Sequence, residues 1–298
     1  MNKEEIIYLE KPVLQRPNLI VGFEGWPNAA EVSTFVLQHL IENLEAKRFA
    51  SINGENFYQI SSARPLAVIK EGRLIELRSG GNHFYYSTGL SSNDFILFQG
   101  VEPHLRWNAY AEILLSVAKE FGVSQIITIG GTYDYTPHTY PPVVTALFNN
   151  ESLKEKILDA GIGLTEYTGP VSIHAFILEA AKKRGVKAIS LWGHAPQYLH
   201  ARNIKVIHAV LQKLNALVDM EMDLYELQQA SEYFDQQVNQ LVEQDPKLQE
   251  IISKLEEVYQ HSGQQDPEHG GEEGTKEEKV VYIEAFLKKQ EDEDKKEG

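Results

Sequence analysis

No cysteine occurs anywhere in the chain. That excludes a disulfide framework, thiol catalysis and zinc sites built on cysteine thiolates, and it makes the cytoplasm the expected compartment. Basic side chains are scarce beside acidic ones: 28 Lys and Arg stand against 43 Asp and Glu, a formal net charge of −15. Surfaces that grip nucleic acid or anionic membranes exchange counterions with phosphates through a basic footprint, so neither partner is expected. Long apolar runs are missing as well. No segment approaches the roughly 18 apolar residues of a spanning helix, and Met1-Asn2-Lys3-Glu4-Glu5 opens without a signal-peptide core, so neither membrane insertion nor secretion is expected. A Walker loop, a dinucleotide GxGxxG, an HExxH pair and a GxSxG elbow are all lacking, and no metal site and no cofactor is expected.

What is present suits a large α/β domain with an appendage: 298 residues, of which 42% are hydrophobic. Part of the negative charge is local. Ser262 to Gly298 carries 12 acidic and 6 basic residues and few large apolar side chains, the composition of a disordered tail. Within it, Val280 to Lys288 reads as a small recognition helix.

Four apolar runs read as buried strands, each stopping at a glycine-containing polar segment. They are Leu19–Phe23, Asp94–Phe98, Ile126–Ile129 and Lys187–Trp192. Helices follow them. Asn28 is placed to cap a helix from Ala29 to about Ala46, with Val32, Phe35, Val36, Leu40 and Leu44 on its buried face. A helix from Leu105 to Phe121 turns Trp107, Ile113, Leu114 and Val117 inward, one from Ser172 to Arg184 has His174 in its first turn, and one runs from about Asn203 to Val218. A short helix, Glu151 to Ala160, is capped by Asn150. Phe49 to Ser62 reads as a strand or hairpin turning at Asn53-Gly54, Arg64-Pro65 opens another extended piece, and Arg73–Arg78 alternates like a half-exposed edge strand. From Glu221 a narrow stripe (Leu224, Leu227, Phe234, Val238, Leu241) breaks at Asp245-Pro246 and resumes at Leu248, which predicts a helical hairpin or coiled-coil seam.

Alternating strands and helices predict a mainly parallel sheet whose rim carries the strand-end loops. The central loop is expected at Gly130-Gly131-Thr132-Tyr133-Asp134 and onward through Pro137-His138, because paired glycines let backbone amides approach a ligand or a neighbouring loop. The rim candidates are Glu24, Asn28, Glu102, Gly130, Gly131, Thr132, Asp134, Pro137, His138, Trp192, His194 and Tyr198. His138, His174 and His194 with Asp134, Glu24 and Glu102 could supply acid–base groups or, if the rim loops converge, three metal ligands, although no two of the histidines share a tight ligand spacing and each also reads as a hydrogen-bonded loop residue; the aromatics suit a planar ligand or a protein surface equally. Glu102 fits a bond to a helix amide or to Arg106 as well as it fits a ligand contact.

Six separated pieces together resemble the proteasome assembly chaperone 2 family in its prokaryotic branch. They are Gly22-Phe23-Glu24-Gly25-Trp26-Pro27-Asn28-Ala29-Ala30, Arg64-Pro65, Gly100-Val101-Glu102-Pro103 with Trp107, Gly130-Gly131 with Pro137-His138-Thr139, Tyr167-Thr168-Gly169-Pro170, and Leu191-Trp192-Gly193-His194-Ala195-Pro196-Gln197-Tyr198. The resemblance implies a three-layer αβα sandwich similar to nucleoside phosphorylases, homo-oligomers that are often trimers, and proteasome subunits or another protein complex as partners. Proteasome-activating relatives end in a hydrophobic-Tyr-any tripeptide, whereas this chain ends Lys296-Glu297-Gly298 and carries that pattern internally at Val281-Tyr282-Ile283. The family also often has Asp where Pro27-Asn28 stands.

The expected organisation is an α/β chaperone-family domain over 1–218, a helical hairpin or coiled-coil appendage over 219–261 and an acidic tail over 262–298. The expected function is that of a non-catalytic, cytoplasmic, oligomeric assembly or scaffolding factor. The alternative is a nucleoside-phosphorylase-like enzyme or small-molecule binder. It would hold an anion at the Gly130-Gly131 amides with Arg106 or Arg202, and use His138 or His194 for proton transfer.

Overall fold

The computed structural model describes residues 5–261 apart from 63, 79 and 89–92. The expected tail and its Val280–Lys288 helix lie outside the described residues. In chain order the elements are β1 (Ile6–Tyr8), β2 (Asn18–Glu24), α1 (Val32–Asn43), β3 (Lys47–Ile52), β4 (Leu66–Lys70), β5 (Arg73–Arg78), β6 (His83–Ser87), β7 (Phe95–Val101), α2 (Trp107–Glu120), β8 (Gln125–Asp134), β9 (Val144–Phe148), α3 (Lys154–Asp159), β10 (Gly163–Leu164), α4 (Ile173–Lys183), β11 (Lys187–Pro196), α5 (Ile204–Val218), α6 (Tyr225–Gln244) and α7 (Pro246–His261).

Nine strands form one sheet in the order β1-β3-β6-β7-β2-β8-β11-β9-β10. The four central strands β7, β2, β8 and β11 are mutually parallel, while β6 and β9 join them antiparallel on either side. The centre is buried on both faces, which is why those four strands read as continuous apolar runs. Alternate residues serve opposite faces. Leu19, Val21 and Phe23 pack with Phe98, Tyr110, Leu114, Val117 and Ile177 beneath α2 and α4. Ile20, Ile127, Ile129 and Leu191 pack with Val36, Leu37, Leu40, Val210 and Leu214 beneath α1 and α5. The result is an αβα sandwich, as the sequence predicts.

Several local expectations need correction. The first helix begins at Val32, not Ala29, because Ala29–Glu31 is a 3₁₀ turn in which Ala30 and Glu31 take left-handed φ of 52° and 57°. Three contacts hold that detour. The Gly131 amide donates to the Pro27 carbonyl, the Ala30 amide to Tyr133 Oη, and the Asn203 amide to the Ala30 carbonyl. Asn28 therefore caps further along, its Oδ1 accepting from the Thr34 amide at 3.0 Å. Arg73–Arg78 is not a half-exposed edge. Among the described residues it pairs only with β4, in a separate two-stranded sheet, with Leu74, Ile75 and Leu77 all exposed. Asn53-Gly54 turns the chain without making a hairpin, since β3 pairs with β1 and β6 instead.

Asn150, Ser172 and Asn203 each accept a bond from an amide in the first turn of the helix they precede. The break at Asp245-Pro246 separates α6 from α7, and Val238, Leu248 and Ile252 of that hairpin pack on Tyr198 and Leu199. No helix among the described residues is long and apolar enough to cross a membrane.

Candidate functional site

The carboxyl ends of the central strands form the rim, and the first finding concerns the glycines. Gly130 and Gly131 lie inside β8 and Gly193 inside β11, paired as Gly130↔Trp192 and Gly131↔Gly193, so both strands run on where loops are expected. A Cβ on Gly130 would stand 2.7 Å from the Trp192 ring, and one on Gly131 would stand 2.3 Å from the Ala29 carbonyl oxygen. These glycines admit neighbouring chain rather than ligand. Thr132 and Asp134 are likewise strand residues.

On one side of the rim, Asp134 and His194 meet. Asp134 Oδ2 lies 2.8 Å from His194 Nδ1, and His194 Nε2 lies 2.9 Å from Thr145 Oγ1, which in turn accepts a bond from Thr165 Oγ1 at 2.9 Å. The other carboxylate oxygen of Asp134 accepts from the Tyr135 amide at 2.7 Å. Asp134 and Thr145 are 5% and 2% exposed, so the chain is a buried strut between β8, β11 and β9. Sequence reading finds Asp134 and His194 but not Thr145, whose strand it leaves unassigned.

His138 is held from three directions. Its amide donates to Tyr198 Oη at 2.7 Å, its Nδ1 lies 2.7 Å from the same oxygen, and its Nε2 lies 3.1 Å from Asn239 Oδ1 on α6. An oxygen that accepts from an amide has its own proton to give, so Tyr198 donates to Nδ1 and the Nε2 proton goes to Asn239. Burial lowers the imidazole pKa and keeps the ring neutral. Helix α7 covers the same loop. Tyr140 packs on Tyr259 with ring centres 5.0 Å apart and accepts a bond from Gln260, while Thr139 donates to Glu256. The cavity enclosed by Thr136, Pro137, His138, Tyr140, His194 and Lys205 has a volume of about 10 Å³, the room of one water molecule.

At the other end of the rim, Trp192 crosses Trp26 edge-on at 6.5 Å and His174 at 5.1 Å. Ser190 Oγ accepts from Thr128 Oγ1 and Trp192 Nε1, both at 2.8 Å, and so donates to His174 Nδ1 at 3.2 Å. Desolvation takes the His174 pKa down from 6.5 to about 3. Glu102 bonds to neither α2 nor Arg106. Its Oε1 accepts from the Ile173 amide at the start of α4 at 2.9 Å, and its Oε2 accepts from the Trp26 amide at 3.3 Å. Burial raises its pKa while those two bonds and His104 pull the other way. Arg106 pairs instead with Glu5 at 3.5 Å, and Arg202 with Glu31 while lying over Phe35. Glu24 ends β2 and is exposed. Among the described residues no three His, Asp or Glu side chains are arranged to hold a metal ion.

The order of these rim segments, from the Gly22–Ala30 turn to the strut at His194, agrees with the match of residues 22–242 to the model of the PAC2 family. The chain belongs to the PAC2 family. Solved structures agree. It is 28% identical to a PAC2 family protein from Streptomyces avermitilis, with a TM-score of 0.71 over 79% of this chain and 99% of that one. It is 25% identical to a proteasome-assembly chaperone homologue from Mycobacterium tuberculosis, with a TM-score of 0.72 over 79% and 99%. An archaeal proteasome activator from Pyrococcus furiosus shares the fold, at 23% identity and a TM-score of 0.65 over 80% and 99%. No curated protein matches the chain significantly.

Proposed function

We propose that this PAC2 protein is a non-catalytic, cytoplasmic assembly factor that works as a homo-oligomer and binds proteasome subunits or a comparable protein complex. One observation carries the reading. Both ring nitrogens of His138 and of His194 are taken by protein groups, and the Gly131 amide is spent on the Pro27 carbonyl. A general base must reach the proton it abstracts, and an anion site needs free donors, so the rim groups that would serve an enzyme are acting as struts. Exposed Trp26, Tyr135 and Tyr167 suit a protein contact, since aromatic side chains with a polar tip concentrate at interfaces. Likeness to a proteasome-assembly chaperone homologue supports a partner of that kind.

The test is affinity capture of the tagged chain from its own cells, followed by identification of what co-purifies. Proteasome subunits or one defined complex at constant ratio support the reading, and recovery of the chain alone counts against it. Turnover of a nucleoside that disappears in Asp134→Ala and His194→Ala would instead establish the enzyme alternative.

A further inference from the structure

The β4–β5 ribbon belongs to neither core. Leu66, Ile69, Leu74, Ile75 and Leu77 are 58–72% exposed. Among the described residues the two strands pair only with each other, so the outer edge of β5 joins no ladder. An open edge of this kind is a template for a further strand, and a two-stranded ribbon is marginal in water until a third strand joins it.

The chain itself carries a segment that fits. Val280-Val281-Tyr282-Ile283-Glu284-Ala285-Phe286-Leu287 contains no Gly or Pro, is rich in β-branched and aromatic residues, and has Glu284 as its one charge. Wound as a helix, the run would be apolar all round but for Glu284. Extended, it places Val281, Ile283, Ala285 and Leu287 on one face, and all four are apolar. Charge favours the same pairing. Residues 64–78 hold four basic and two acidic side chains, whereas residues 262–298 hold 6 basic and 12 acidic ones. Lys70 and Arg73 flank the turn at the ribbon tip, are exposed, and have no ion-pair partner among the described residues. A strand antiparallel to β5 ends at that tip. The acidic run Glu291-Asp292-Glu293-Asp294, which follows Leu287 closely, is thereby carried to Lys70 and Arg73. Reach is sufficient. Residues 262–279 extend to about 60 Å, roughly three times the radius of gyration of about 19 Å for a folded chain of this length.

We propose that residues 280–287 add in cis to the outer edge of β5, antiparallel, and turn the ribbon into a three-stranded sheet with residues 291–294 set against Lys70 and Arg73. Backbone pairing gives the contact its strength, and the tip charges set its direction. While seated, the segment occupies the edge that a protein partner would use for strand addition. Such a partner has to displace it against the high local concentration that a short tether provides. The inference goes beyond the proposed function and does not depend on it.

The experiment is hydrogen exchange read by mass spectrometry on the full chain, across a protein concentration series, in peptides covering residues 66–78 and 280–287. Both stretches should be protected, and to the same degree at every concentration. Val281→Asp/Ile283→Asp should speed exchange in β5 by about tenfold or more, with β8 and β11 unchanged as the folding control. Lys70→Glu/Arg73→Glu should speed both stretches. Adding Glu291→Lys/Glu293→Lys to that variant should restore protection, which a merely misfolded ribbon would not do. Residues 73–78 exchanging at one rate in the wild type and in Val281→Asp/Ile283→Asp overturns the proposal. Unprotected residues 280–287 in the wild type overturn it as well. Protection that vanishes on dilution seats the segment on a second copy and overturns the contact in cis. Charge reversal without effect, or without recovery in the fourfold variant, overturns the pairing of the tip with the acidic run.

Discussion

Tyr198 and His138 are bonded twice: one phenolic oxygen accepts the His138 amide proton and donates to its Nδ1, each at 2.7 Å. The pair fastens the Pro137–Tyr140 loop to the turn that follows β11, and Asn239 fastens it to α6. Tyr198→Phe keeps the ring in its cluster but strands a buried amide and a buried imidazole nitrogen. The cost should be about 1–3 kcal/mol, the penalty of unpaired buried polar groups. Urea unfolding measures it, and hydrogen exchange should quicken first in α6 and α7. Unchanged stability would mean that the pair is not the fastening.

The rim glycines should rank by what their missing side chains would strike. Gly130→Ala meets a tryptophan ring that can shift, and the cost should be about 1–3 kcal/mol, as for an overpacked core. Gly131→Ala drives a methyl group into a backbone carbonyl held by the Asn28↔Gly131 bridge, and should cost more. Denaturant midpoints of the two variants decide the order. Equal or inverted values would refute steric packing as the reason for the glycine pair.

Glu102 offers a third test because its two oxygens hold different loops. Glu102→Ala frees the Ile173 amide at the head of α4 and the Trp26 amide together, and should cost about 0.5–2 kcal/mol, the range of a lost helix cap. Glu102→Gln keeps one carbonyl acceptor and sheds the desolvated charge, so it should retain most of the stability. A glutamine variant as unstable as the alanine one would show that the charge itself is required.

Much of the scaffold was legible because burial writes itself into pattern. The four central strands are apolar throughout, and the cap at Asn150 is a short polar side chain one step before helical periodicity begins, whereas Asn203, read as the first residue of its helix, is the cap of α5. The flanks were harder. The aromatic run His83-Phe84-Tyr85-Tyr86-Ser87 has strand composition and could have been found, whereas Val144–Phe148 hides behind Pro141-Pro142, which read as continuing loop. The glycines misled for a different reason. Gly130 and Gly193 read as strand ends, yet they are small because Trp192 in one case and Val206 and Val210 in the other occupy the space, and those contacts depend on the fold. The roles of the rim histidines were invisible for the same cause, the partners of His138 lying 60 and 101 residues away.

Buried histidines make the last prediction one of pH. Desolvation is the first cause lowering the pKa of His138 and of His174, the latter from 6.5 to about 3. Both are neutral in the folded chain at pH values where the unfolded chain already takes up protons. The unfolded state therefore binds more protons below about 6.5, and stability is full above that value and lost as pH falls toward the folded pKa values. A fully buried histidine forfeits about 1.4 kcal/mol for each pH unit in that window. Urea midpoints should thus drop between about pH 7.5 and about pH 5.5, a range chosen above the main titration of carboxylates. His174→Asn retains an amide near Ser190 and cannot titrate, so its pH slope should be shallower than that of the wild type. A slope identical to the wild type would show that His174 is not among the groups whose protonation opens the fold.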